Sequence, residues 1–386
     1  MTTPTPTQRL RSLDVFRGFT IASMVLVNNP GDWAHVYAPL RHAAWHGWTF
    51  TDWIFPFFLF IVGVSLTIST TRSVAASVAK QSLLLQLWRR AIIIILIGLT
   101  LNFIPSFSFE TLRYPGVLQR IGLCIVIAAP IVLWCRVRGQ FAWAIALMAV
   151  YASVMLLVPV PDATGVVHTA LLEPGRDVGA YLDRMVMGGH LWSQAKTWDP
   201  EGMLSTLPAV SSVLFGALTG RWLQTPNTPA VKTAWMMVFG LVALWCGVVL
   251  DAVLMPINKS LWTPSYTVLM TGWALSLFAA CYWLIDACDS ARVRRRASWL
   301  AKPLEMYGVN ALFIFAFSGL VAKMVGYFKV QTDAGAMVSV KAWLFAALSH
   351  GSLAPVNASL LFAVLFNAAM LGIAWALWRN KIFIKV

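Results

Sequence analysis

Residues 38–63 read APLRHAAWHGWTFTDWIFPFFLFIVG, and within this stretch a polar segment changes abruptly into an apolar one. The apolar run that begins at Trp53 continues to residue 70, close to the roughly 20 residues that cross a bilayer as a helix. His42, His46 and Asp52 stand just before this run. The sequence therefore predicts a membrane-spanning helix with titratable side chains at one end.

The rest of the chain is equally apolar. Of its 386 residues, 59% are hydrophobic and only 11% are charged, a composition that a water-soluble domain of this size does not have. We predict an all-α, polytopic transmembrane helix bundle of about ten spans that forms one domain over residues 1–386. The spans are expected near residues 13–28, 52–70, 89–104, 117–134, 141–160, 203–220, 233–254, 264–286, 303–325 and 354–378, with a further short helix at 338–349.

The distribution of basic residues predicts the orientation. If the first apolar segment is a retained span, 18 Lys and Arg residues lie on the side of both termini and nine on the opposite side. Because cytoplasmic loops are enriched in Lys and Arg, both termini are predicted to be cytoplasmic. The same rule explains the net charge of +14 without a nucleic-acid partner. Residues 161–202 are then an extracytoplasmic loop, which we expect to act as a lid.

Several chemistries find no support in the sequence. The five cysteines include no C-x-x-C pair and lie in or beside apolar segments, so neither a disulfide framework nor a zinc site is predicted. His42 and His46 are four residues apart, but Gly47 and the lack of a third nearby ligand argue against a shared metal. Motifs of metalloproteases, α/β-hydrolases and P-loop proteins are absent from the sequence.

Polar residues inside the first predicted span form a second signal. Asp14 and Arg17 are three residues apart and can pair on one helix face, and helical geometry places Asn28 on the same face at the other end. Such residues are costly in a membrane and usually face the interior of a bundle. The alternative is that Asp14 and Arg17 only neutralise each other at the interface.

Further polar residues are predicted to converge on the extracytoplasmic face, where several spans begin. They are His42, Asp52, Gln119, Arg120, Glu201, Ser205, Asn258, Lys259 and Trp262. For Arg120 the alternative is a side chain that reaches the nearby interface. Lys259 and Trp262 have a similar alternative as an anchor pair at headgroup depth.

Five segments together carry a resemblance to a known family. They are SLDVFRGFTIASMVLVNN (12–29), RHAAWHGWTFTDWIFPFFLFIVG (41–63), YPGVLQRIG (114–122), DPEGMLSTLP (199–208) and PINKSLWTPSY (256–266). In this order they resemble the heparan-α-glucosaminide N-acetyltransferase family, which includes bacterial transmembrane members. The resemblance implies transfer of acetyl from cytoplasmic acetyl-CoA to the amino group of a glucosamine on the far side of a membrane. It also implies His42 as the catalytic histidine and Asn28 as a functional asparagine.

The chemistry of the residues agrees with this resemblance. A histidine accepts a proton from an attacking amine near neutral pH, or it becomes transiently acetylated as a nucleophile, and the sequence does not separate these routes. Asn28 is suited to donate a hydrogen bond to the oxyanion. Asp52 or Glu201 is expected to orient the imidazole. We assign Arg17, Asp14, Arg120 and Gln119 to CoA, and Glu201, Ser205, Asn258, Lys259 and Trp262 to the acceptor sugar.

Two other functions remain open at this stage. A solute transporter would also have about ten spans with polar residues inside them, although we find no internal repeat. An O-acetyltransferase of an envelope polysaccharide would use the same base with a hydroxyl acceptor. The expected location is the bacterial cytoplasmic (inner) membrane, in contact with lipid, and the family resemblance makes a homodimer an expectation.

Overall fold

The computed structural model describes residues 10–332, 335–349 and 353–384. In chain order its helices are α1 (Arg11–Asn28), α2 (Phe50–Ala75), α3 (Lys80–Phe103), α4 (Val117–Trp134), α5 (Val137–Leu157), α6 (Val178–Met187), α7 (Thr206–Leu223), α8 (Pro229–Val253), α9 (Pro264–Tyr282), α10 (Ala291–Leu300), α11 (Lys302–Val309), α12 (Ala311–Tyr327), α13 (Val340–Ser349) and α14 (Pro355–Arg379). Two small antiparallel hairpins pair β1 (Val160–Pro161) with β2 (Val167–His168) and β3 (Lys329–Gln331) with β4 (Met337–Ser339). The predicted all-α fold is confirmed.

All ten predicted spans coincide with helices. Among the described residues, seven helices are long and apolar enough to cross a membrane, namely α2, α3, α4, α5, α8, α9 with the π-helical turn that follows it, and α14. The pair α11 and α12 also qualifies, with a bend of 84° between them. The chain is therefore an integral membrane protein.

The two remaining predicted spans are α1 and α7. Each has 18 residues, and most side chains of both are buried inside the bundle. α1 also carries three charged residues, Arg11, Asp14 and Arg17, so apolar length alone does not identify it as a span. The count of ten spans stays a prediction, whereas the short helix expected at 338–349 is present as α13.

Close backbone contact holds the centre of the bundle together. A Cβ atom added to Gly63 of α2 would lie 1.9 Å from the carbonyl oxygen of Val213, and one added to Gly216 of α7 would lie 2.0 Å from that of Phe60. Both positions therefore require glycine. Since helix pairs in lipid gain little from hydrophobic burial, such close packing is a main source of their association.

Hydrogen bonds between helix ends define two opposite ends of the bundle. At one end, the Tyr266 hydroxyl of α9 donates to the carbonyl oxygen of Asp52 in α2 over 2.6 Å. We call this end, which also carries His42, the histidine end. At the other end, the backbone N–H of Ser12 donates to Asp286, and Arg11 pairs with Glu305 at 2.8 Å. We call it the Arg11 end.

The predicted lid, residues 161–202, contains α6 and most of the β1–β2 hairpin, and it packs against the histidine end. The Trp45 indole N–H donates to the carbonyl oxygen of Leu172 over 2.7 Å, and the rings of Tyr114 and His190 stack at 4.0 Å. The lid is therefore tied to the segment that carries His42. Its predicted extracytoplasmic location is not tested by these contacts.

The central crossing gives a direct test of the packing. Gly216→Ala places a methyl group against the Phe60 carbonyl and should destabilise the protein by about 1–3 kcal/mol or more. Gly372→Ala in α14 is the matched control, because the added methyl would have no neighbour within 4 Å and alanine favours a helix. Thermal unfolding in detergent should show a loss for Gly216→Ala only. Equal losses in both variants would contradict the close α2–α7 contact.

Candidate active site

The buried carboxylate of Asp52 organises the segment that precedes α2. Asp52 is the third residue of the helix and forms a capping box with Thr49, whose backbone N–H and hydroxyl approach Oδ2 at 2.9 and 3.2 Å. The backbone N–H of Ala43 donates to the same oxygen over 3.1 Å. Only 1% of the Asp52 side chain is exposed. These bonds fold residues 43–49 back onto the start of the helix.

The second carboxylate oxygen of Asp52 holds His42. The distance from His42 Nδ1 to Asp52 Oδ1 is 2.6 Å, so Nδ1 carries the hydrogen and Nε2 is left as the acceptor. In contrast to Asp52, 47% of the His42 side chain is exposed. The arrangement presents a basic imidazole nitrogen whose ring orientation is fixed by a buried carboxylate.

Lys259 reaches the same imidazole from the loop between α8 and α9. Its Nζ lies 3.1 Å from each ring nitrogen of His42 and 3.9 Å from Asp52 Oδ1. A hydrogen bond closes the turn of this loop, in which the side-chain oxygen of Asn258 accepts the backbone N–H of Leu261 over 2.9 Å. Burial lowers the pKa of Lys259, as does Arg120, whereas Asp52 and Glu201 act in the opposite direction.

A charged cluster next to this triad connects the lid to the bundle. The guanidinium of Arg113 binds both carboxylate oxygens of Asp199, at 2.8 and 2.5 Å, and also Glu201 at 2.6 Å. Burial raises the pKa of Glu201, but Arg113 and Arg120 outweigh it and hold this pKa below its ordinary value. Arg113 and Asp199 were not among the predicted site residues, although Asp199 opens the quoted segment DPEGMLSTLP.

The structure uses several of the predicted sugar-binding residues internally. Ser205 accepts from the buried guanidinium of Arg120 at 2.5 Å, and the carbonyl oxygen of Gly202 accepts from it at 2.8 Å. Trp262 is only 1% exposed and lies under Arg120, with 5.3 Å between the guanidinium carbon and the ring centre. The alternatives of an interfacial Arg120 and an interfacial Trp262 are therefore wrong.

The four residues assigned to CoA do not lie together. Arg17 pairs with Asp14 at 3.1 Å and donates to Ser65 Oγ at 2.9 Å, deep among α1, α2 and α11. Gln119 and Arg120 instead lie at the start of α4, at the histidine end. The pair in α1 and the pair in α4 therefore have different hydrogen-bond partners, and their joint assignment to CoA stays a prediction.

Asn28 and His46 also lie at the histidine end. Asn28 is exposed at the last position of α1, and none of the hydrogen bonds found among the described residues joins it to His42. His46 is exposed as well, and its Nδ1 is 3.5 Å from the side-chain nitrogen of Asn258. Of the nine predicted residues at this end, His42, Asp52 and Lys259 form one group in direct contact, and Arg120, Ser205 and Trp262 form another.

Comparison with known proteins shows what this chain is similar to. Residues 9–183 match the family model described as heparan-alpha-glucosaminide N-acetyltransferase, catalytic. The chain is also 27% identical over 360 residues to the mouse and human proteins named heparan-alpha-glucosaminide N-acetyltransferase, which covers 80% of this chain. The chain is therefore similar to this family, most clearly in residues 9–183. It spans about half the length of these curated relatives, 53% of the mouse protein and 52% of the human one.

The part that matches the heparan-α-glucosaminide N-acetyltransferase model covers only some of the site. It includes Asn28, His42 and Asp52, and it extends through α5 and into the lid. Lys259 and Glu201 lie beyond it. The matched range of this chain therefore contains the imidazole and its carboxylate, whereas the ammonium group at the imidazole comes from the second half of the chain.

A buried carboxylate in the lid gives a test by pH. Asp183 is 2% exposed, and burial raises its pKa to about 7, although the Met203 N–H donates to it over 2.9 Å. Because the unfolded chain ionises this group near pH 4, its contribution to stability is lost progressively as the pH rises from about 4 to about 7. Asp183→Asn stays neutral and should lack this loss.

Thermal unfolding of the wild-type protein and Asp183→Asn at about pH 5 and about pH 8 measures the effect. The variant should be the more stable protein at the higher pH, by at most about 4 kcal/mol, and the difference should shrink at the lower pH. A difference that is the same at both values would contradict the raised pKa.

Proposed function

We propose that this chain is an acetyl-CoA-dependent N-acetyltransferase that acetylates the amino group of an amino sugar such as glucosamine. The observation that carries the proposal is the Asp52–His42 pair at the histidine end, within the residues that match the heparan-α-glucosaminide N-acetyltransferase model. The relatives' printed name supports both the amino-sugar acceptor and the acetyl donor. Acetyl-CoA is a substrate here, consumed in each cycle.

His42 acts as the general base in this proposal. The neutral amine attacks the thioester carbonyl carbon, so a C–N bond forms while the carbonyl oxygen becomes an oxyanion. Nε2 of His42 takes the proton that the amine nitrogen loses, and Asp52 stabilises the resulting imidazolium through Nδ1. When the C–S bond breaks, the imidazolium returns the proton to the sulfur of CoA.

The second route of the sequence prediction uses the same geometry. Nε2 of His42 attacks the thioester, CoA leaves, and the acetyl-imidazole is then attacked by the sugar amine. This route allows the acetyl group to wait on the enzyme before the acceptor binds. Rapid acid quench after mixing with labelled acetyl-CoA alone separates the routes, because only the second leaves label on the protein.

The proposed sidedness follows the basic residues. With 18 Lys and Arg on the side of the Arg11 end and nine on the other, acetyl-CoA approaches from the cytoplasm and the amino sugar from the opposite face. The membrane is proposed to be the bacterial cytoplasmic membrane. The four residues assigned to CoA belong to two different helices, α1 and α4. We retain Asp14 and Arg17 of α1 for CoA. Gln119 and Arg120 of α4 are instead assigned a supporting structural role at the histidine end.

Substitution of His42 tests the proposed base. His42→Ala should lower kcat for transfer of labelled acetyl to glucosamine by about 10²–10⁴-fold, and Asp52→Asn should have an effect in the same direction. His46→Ala is the matched control, because this exposed neighbour does not contact Asp52 among the described residues, and it should stay within a few-fold of wild type.

Wild-type protein that is folded and yet acetylates none of a panel of amino sugars would overturn the proposal. Sealed vesicles give the sidedness separately. With acetyl-CoA supplied only on the side of the Arg11 end, acetylated sugar should appear on the opposite side, and product that requires both substrates on the same side would contradict vectorial transfer.

A further inference from the structure

Lys259 occupies a position that binding of the acceptor does not by itself explain. Its Nζ lies 3.1 Å from both nitrogens of His42, so it is adjacent to the atom at which the proposed base acts. Only 20% of the Lys259 side chain is exposed. An ammonium group this close to His42 Nε2 lies within reach of the substrate atoms that react there.

The ammonium group also has unused hydrogen-bonding capacity. The ammonium group carries three N–H donors. His42 Nδ1 directs its own hydrogen to Asp52, so Nε2 is the imidazole nitrogen that accepts a hydrogen bond from Lys259. Asp52 Oδ1 is 3.9 Å away, an ion-pair distance that is too long for a hydrogen bond. In the described part of the chain, these are the polar contacts found for Nζ, so at least one donor remains for a substrate.

The surroundings favour a fixed charge at this point. Lys259 follows Asn258, which is fully buried, and Thr263 closes the same turn, since its hydroxyl accepts the Asn258 N–H over 3.1 Å. Charged groups come from three other parts of the chain, namely Asp52 of α2, Arg120 of α4 and Glu201 of the lid. A preorganised ammonium in such a partly desolvated setting stabilises a developing negative charge more strongly than water does.

We propose that Lys259 is a catalytic residue of the acetyl transfer, and that its ammonium group donates a hydrogen bond to the thioester carbonyl oxygen as this oxygen becomes an oxyanion. Lys259 keeps its proton throughout, while the proton of the amine passes through His42 to the CoA sulfur. The inference rests on the proposed acetyltransferase function. It assigns to Lys259 the role that the sequence suggested for Asn28, and it leaves Asn28 at the end of α1 for contact with the acceptor.

The first test separates transition-state contact from substrate binding. Lys259→Met should lower kcat by about 10²–10³-fold while KM for the sugar and for acetyl-CoA changes little. Lys259→Arg, which keeps a positive charge and N–H donors, should recover part of the loss. If Lys259→Met raises KM for the sugar and leaves kcat unchanged, Lys259 only binds the acceptor and the inference is overturned.

Lys323→Met is the matched control for the loss of a lysine at the same end of the bundle. The Lys323 ammonium donates to the backbone carbonyl oxygens of Leu101 and Ile104 at the end of α3, so its loss should lower thermal stability without lowering kcat. Retained acetyl-CoA binding and a normal unfolding temperature in Lys259→Met confirm that this variant is folded. If it does not fold, the Lys259→Arg variant carries the test through the measurements below.

A change of the acceptor atom tests the hydrogen bond itself. In an acetyl dithioester of CoA, sulfur replaces the carbonyl oxygen and accepts hydrogen bonds only weakly. The ratio of the rates with the oxygen and sulfur donors should be large for the wild type and clearly smaller for Lys259→Met or Lys259→Arg. A purely structural role of Lys259 would leave this ratio unchanged in the variants and would overturn the inference.

The pH profile supplies an independent readout. Since burial lowers the pKa of Lys259, wild-type kcat/KM should fall on the alkaline side, and Lys259→Arg, which stays charged, should move this fall to higher pH. An unchanged alkaline limb would contradict the inference. If the wild type transfers acetyl and Lys259→Met is fully active, only the role of Lys259 is overturned. If folded wild-type protein transfers no acetyl, the proposed function is overturned and this inference with it.

Discussion

The hydrogen bonding of one buried carboxylate, Asp52, determines the structure of the histidine end. An ionised carboxylate that is 1% exposed is costly unless its oxygens are satisfied by hydrogen bonds, and here the donors come from Ala43, Thr49 and His42. Satisfying Asp52 therefore fixes where α2 begins, how the preceding segment folds back, and which His42 nitrogen carries the hydrogen. The backbone of the same residue accepts from Tyr266, which joins α9 to this arrangement. Loss of the carboxylate would disturb the cap and the imidazole together.

Much of this could be predicted from the sequence because the relevant information is local. The spans were located from apolar length, and every predicted segment is a helix in the structure. His42 and Asp52 are separated by only ten residues, so their contact follows once α2 begins where the apolar run begins. Asp52 was one of two candidates for orienting the imidazole, and the structure decides between them, since Glu201 pairs with Arg113 instead.

The remaining features depend on tertiary packing, which local sequence patterns do not reveal. Lys259 meets His42 across 217 positions of the chain, and Arg113 meets Asp199 across 86. Arg120 shows the same limit, because its polar partners in the Gly202–Ser205 turn come from another segment, and the sequence left open whether its side chain belongs to the site or reaches the interface. The CoA assignments likewise grouped a pair from α1 with a pair from α4, and the hydrogen-bond partners of the two pairs differ in the structure.

The separate origins of the site residues have a consequence for divergence among similar proteins. The imidazole and its carboxylate belong to one short segment, so they can be inherited as a unit whatever surrounds them. The loop that carries Lys259 reaches the same imidazole from another part of the chain, and the lid packs against Trp45 of the His42 segment. Under the proposed function, insertions or exchanges in the lid or this loop can alter the accepted sugar while the Asp52–His42 pair is preserved, so selectivity can evolve independently of the chemistry.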